Sequence, residues 1–110
     1  MVVKNIEIDF DLMDVDTAAK YEAAVKKMQD SAAKIGTDSL AQNIAKQCDI
    51  IYTFFADIIG EETTAKILGG KRNLKRYIDA ADEFINAVAE QNKELQKTLD
   101  KYSPARLGNR

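Results

Sequence analysis

Glycines at 36, 60 and 69–70 cut this sequence into helix-periodic segments, and the last segment then runs without glycine or proline from Lys71 to Ser103. That spacing limits the fold strongly. Glycine accepts the left-handed backbone that ends helices, and proline cannot sit inside one. Asp14 and Asp16 are N-cap candidates for a first helix with apolar positions Ala18, Tyr21, Val25, Met28, Ala32 and Ile35, ended by Gly36. Asp38 or Ser39 caps a second, whose stripe is Leu40, Ile44, Cys48, Ile51, Phe55 and Ile58, stopped by Gly60. Thr63 to Leu68 make a short third helix before Gly69-Gly70. Asn73 caps a long fourth, which runs from Leu74 to about Tyr102, where Ser103-Pro104 breaks it.

Ahead of the helices, Ile6, Ile8, Phe10 and Leu12 alternate with Asn5, Glu7, Asp9 and Asp11. A period of two over residues 2–12 reads as a half-buried strand. The expected fold class is therefore mainly α, with one N-terminal β-strand, three longer helices and one short one. Residues 1–104 form a single helical domain with a strand arm, and residues 105–110 a flexible basic tail. A chain of 110 residues suffices for one core.

The fourth helix carries the most regular pattern. Leu74, Ile78, Ala81, Ile85, Val88, Asn92, Leu95, Leu99 and Tyr102 recur at spacings of four and three without a slip. Tyr77 and Phe84 widen the stripe in the first half, as a helix packed into a core requires. Past Val88 it narrows to a seam flanked by Gln, Lys and Glu, the pattern of a two-helix contact, with Asn92 where a polar residue can set register. A helix of this length spans about 42 Å, against a radius of gyration of about 13 Å for a compact domain of this size. Its last turns should project, carrying Leu95, Leu99 and Tyr102. A lone strand also leaves backbone groups unpaired. Both features point to a homo-oligomer.

The chemistry is sparse. The chain has no histidine, which removes Ser-His-Asp and Cys-His catalysis and the commonest metal ligand. The single Cys48 lies on an apolar stripe beside Asp49 and reads as a core residue, and one cysteine cannot form an internal disulfide. Asp9, Asp11, Asp14 and Asp16 fail the EF-hand pattern, since its sixth and twelfth places hold Asp14 and Lys20. Gly69-Gly70-Lys71 lacks the spacing and the hydroxyl residue of a phosphate loop. No catalytic, cofactor or metal residue is assigned, and the protein is expected not to be an enzyme. Met1 leads into an acidic alternation, not a secretion signal, and no apolar run approaches the roughly 20 residues that span a bilayer. No membrane partner is expected.

Lys66, Lys71, Arg72, Lys75 and Arg76 are positive charges with no acid among residues 66–76. Cations at the start of a helix oppose its dipole and call for counter-charge. Nucleic acid is a poor match, because only Tyr77 is nearby to stack and the net charge is −2. A protein partner fits as well, including the acidic segment 1–16 of another copy. The candidate partner-binding residues are therefore Lys71, Arg72, Lys75 and Arg76 together with Asn92, Leu95, Leu99 and Tyr102.

The segments Phe54-Phe55-Ala56-Asp57-Ile58-Ile59-Gly60-Glu61-Glu62-Thr63, Ala65-Lys66-Ile67-Leu68-Gly69-Gly70, Asn73-Leu74 and Phe84-Ile85, with Lys101-Tyr102-Ser103-Pro104-Ala105-Arg106, resemble a small phage and prophage protein family of Gram-positive hosts. That family is similar in shape and gene setting to tail assembly chaperones. The resemblance implies a non-enzymatic assembly protein of the host-cell cytoplasm or the virion, contacting a tape-measure or other tail protein. The alternatives are a virion component of tail or head completion, forming a dimer or ring, and a small DNA-associated regulator.

Overall fold

A computed structural model of the chain describes residues 1–36 and 38–102. The expected tail at 105–110 and the break at Ser103-Pro104 lie outside the described residues. Within them the fold is mainly helical: a hairpin of β1 (Val2–Val3) and β2 (Ile6–Glu7), then α1 (Val15–Ala33), α2 (Leu40–Ile59), α3 (Glu61–Leu68) and α4 (Leu74–Lys101).

The expected single strand is instead a hairpin followed by an extended segment. Val2 pairs with Glu7 and Val3 with Ile6, antiparallel. The two residues between them, Lys4 and Asn5, have φ of 49° and 64°. Two consecutive positive φ values close a two-residue turn whose twist matches the strands. The strand's hydrogen bonds are thus met within the chain, and Ile8 N–H donates to Met1 C=O at 2.7 Å. The alternation itself holds. Ile8 and Phe10 are buried, Ile6 and Leu12 half-buried, and Glu7, Asp9 and Asp11 exposed.

Local chemistry sets the helix ends. The Asp14 carboxylate accepts from Asp16 and Thr17 N–H, Asn73 from Arg76 N–H, and Ser39 forms a reciprocal capping box with Gln42. Gly36 does not end α1. The helix stops at Ala33, and Lys34 and Ile35 N–H bond back three residues to Ser31 and Ala32, tightening the last turn. Gly60 ends α2 and begins α3 at φ 86°, ψ 161°, a region essentially closed to residues with a Cβ. A Cβ there would meet nothing within 4 Å, so the penalty is purely backbone. Gly60→Ala should cost about 1–3 kcal/mol. Gly36, with open space and no left-handed φ, serves as the control: Gly36→Ala should be neutral or stabilising by up to about 1 kcal/mol. Urea midpoints check both, and equal shifts would refute the contrast.

The core is aromatic. Phe84 of α4 is fully buried and lies 5.2 Å from Phe10, 5.4 Å from Phe55, 5.8 Å from Phe54 and 6.3 Å from Tyr21, between ring centroids. It joins the N-terminal segment, α1 and α2. The buried face of α4 is Tyr77, Ala80, Phe84 and Val88. The stripe expected from spacing alone meets the buried face at Val88 but is offset by one position before it, leaving Ile78 and Ile85 exposed by 41% and 43%. The molecule is elongated, with a radius of gyration of 16.8 Å and a longest extent of 62 Å.

Candidate functional site

Past Gln91, α4 leaves the core. Asn92 is exposed, Leu95 half-buried, and Leu99 and Tyr102 are 53% and 63% exposed. Tyr102 lies eleven positions beyond Gln91, about 16 Å along the axis. This places on a projecting helix the four seam residues that the sequence singles out. Beside it runs an open groove of about 390 Å³, with Leu12, Ala18 and Tyr21 on one wall and Ile85, Val88 and Leu95 on the other. Ile85, 43% exposed, lines the groove as well. Exposed apolar residues beside a groove are the material of interaction sites.

Two polar clasps hold the N-terminal segment against α4 and so shape the groove. The Gln91 amide donates to Phe10 C=O at 2.8 Å, and its oxygen accepts from Leu12 N–H at 2.9 Å. Gln91 thereby takes the place of a neighbouring strand. Glu83 accepts from Lys4 N–H at 3.1 Å and pairs with the Lys4 ammonium at 3.1 Å. Those bonds hold its carboxyl below the usual range. Sequence reasoning missed both residues. The only signal available was the spacing of 81 residues between an extended apolar segment and a helical amide, which no local pattern reveals.

The basic residues lie at the other end of α4, and the structure does not bring them to the seam. Arg72 donates to the Asp49 carboxylate at 2.6 Å and to Ala45 C=O at 3.1 Å. Arg76 donates to Ile67 C=O through Nε and Nη2, at 3.2 and 2.8 Å, and so caps the C-terminus of α3. Lys75 pairs with Asp79 at 3.0 Å, and Lys66 lies 3.8 Å from Glu62. Lys71 is exposed. Counter-charge at the start of α4 comes from Asp49 of α2 and Asp79 of α4 itself.

Cys48 is 1% exposed, and burial raises its thiol pKa. Both features slow thiolate chemistry. In the native protein a thiol reagent should label Cys48 at the rate of global opening, accelerating sharply only in denaturant. Stoichiometric labelling within seconds at neutral pH would contradict this.

What the arrangement offers is apolar area on a rigid helix beside a groove, available to another protein surface. Compared with protein-family models, residues 4–110 match one described as "Family of unknown function (DUF6673)". Neither the curated proteins nor the solved structures include a match to the chain. Among the described residues, no helix is long and apolar enough to cross a membrane.

Proposed function

We propose that the chain, which belongs to that family of unknown function, is a non-enzymatic assembly protein of the tail-assembly-chaperone type, acting by contact with a long helical partner. One observation carries the reading. Past Gln91, α4 carries Leu95, half-buried at the groove, and then the exposed Leu99 and Tyr102 along one line. A projecting amphipathic helix next to an apolar groove is suited to laying against another helix. The phage setting, and with it the tape-measure or other tail protein as partner, rests on the resemblance of residues 54–63, 65–70, 73–74, 84–85 and 101–106. The engagement of Arg72 and Arg76 within the chain counts against the DNA-associated alternative, because a guanidinium already bonded to Asp49 or to Ile67 C=O is less available to neutralise a phosphate.

Co-expression with a long helical tail protein of the tape-measure type tests the proposal. The two should co-purify, and Leu99→Lys should abolish the complex while leaving helical content intact. Co-purification indifferent to Leu99→Lys would remove α4 from the contact. Recovery of the protein in purified virions would favour the structural-component alternative. Duplex binding that falls steeply with salt and is lost in Arg72→Ala would favour the regulator.

A further inference from the structure

We infer that the free protein closes on itself as a two-fold antiparallel dimer along α4, each copy seating its Leu99 and Tyr102 in the other's groove. Apolar and seam positions on α4 fall at 85, 88, 92, 95, 99 and 102. The spacing of three, four, three, four, three reads the same from either end. Laid antiparallel, Ile85 faces Tyr102 of the second copy, Val88 faces Leu99, and Asn92 faces Leu95. Ile85 and Val88 line the groove, and Leu99 and Tyr102 are the exposed projections. Groove and projection therefore exchange reciprocally, which is the self-complementarity a two-fold contact requires.

The charges agree. The residues flanking the seam are Ala89, Gln91, Gln96 and Thr98, all uncharged. The charged residues of this stretch pair along the outer face, Lys93 with Glu90 at 3.1 Å and Lys97 with Glu94 at 3.5 Å. Pairing buries none of them. Glu22 lines the groove, and the Lys101 ammonium sits 5.6 Å from the centre of the Tyr102 ring. Seating Tyr102 of the second copy brings Lys101 toward Glu22. Asn92 lies next to the two-fold axis, at the edge of the groove and exposed, where its amide keeps access to water.

The inference rests on the assembly reading in one respect: the second copy holds the strip until a helical partner takes its place. Sedimentation equilibrium on the full chain should show a dimer at micromolar concentration. Leu99→Lys, at a half-exposed position, should raise the dissociation constant at least about 100-fold with an unchanged circular dichroism spectrum. Spin labels at Asp82→Cys and Lys97→Cys, in a Cys48→Ala background, report orientation. Antiparallel pairing about residues 93 and 94 sets the position-82 labels about 35 Å apart along the axis and the position-97 labels about 10 Å. A monomer throughout, a dimer indifferent to Leu99→Lys, or equal distances at both sites overturns the inference. A monomer that still captures the tail protein leaves the assembly reading standing. A dimer that captures nothing removes that reading and keeps the dimer.

Discussion

Phe84→Ala is expected to destabilise the fold by about 3–5 kcal/mol, the range for truncating a buried aromatic ring. A domain of this size is stable by only about 5–15 kcal/mol in total, so the variant stands near the threshold of unfolding. The position matters because of what meets there. The ring contacts Phe10, Phe54 and Phe55 edge-on, with interplanar angles of 74°, 81° and 70°, and Tyr21 at a tilt. Edge-to-face pairs contribute about 0.5–1.5 kcal/mol each beyond area burial. Removing the ring loosens the N-terminal segment, α1 and α2 from α4 together. Ile85→Ala, one position along the same helix and 43% exposed, should cost far less. Urea unfolding of the pair decides the matter. A midpoint for Phe84→Ala equal to that of Ile85→Ala would mean that the core is centred elsewhere.

That pair also marks where the sequence stops being legible. Helix boundaries could be read from capping chemistry, and Asp14, Ser39 and Asn73 each accept the backbone bonds expected of them. The left-handed stops at Gly60 and Gly69 were equally visible, with φ of 86° and 80°. Facing was harder. Ile78, Ala81 and Ile85 make a regular stripe, but Ala80 and Phe84 are the fully buried residues of this helix. Periodicity gives the width of an apolar arc and not which residue points to its centre. Two partners, the core and the groove, also divide this arc between them. The hairpin was hidden for another reason. Its turn uses Lys4 and Asn5, with no glycine to announce positive φ. Likewise, the narrowing of the stripe past Val88 agrees with the exposure of Asn92, Leu99 and Tyr102, whereas the internal partners of Arg72 and Arg76 are fixed by helix packing and leave no trace in local pattern.

Gln91→Leu should cost about 2 kcal/mol while keeping the size of the side chain. The exchange removes two bonds at once, leaving Phe10 C=O and Leu12 N–H without a partner. A fully buried orphan group costs about 1–3 kcal/mol. These two are part-buried, which places the sum near the low end. Helix content should hold, while amide exchange at Leu12 and proteolysis around Asp11 accelerate, because the segment loses its substitute for a neighbouring strand. The loss should extend to the groove wall, since Leu12 lines it. Gln91→Glu separates the two bonds. An ionised carboxylate accepts from Leu12 N–H but cannot donate to Phe10 C=O. Once protonated it can do both. The Gln91→Glu variant should therefore be weaker than the parent at neutral pH and regain ground as pH falls through the titration of the introduced carboxyl. A pH-independent deficit, or none, would show that the amide is not what holds the N-terminal segment to α4.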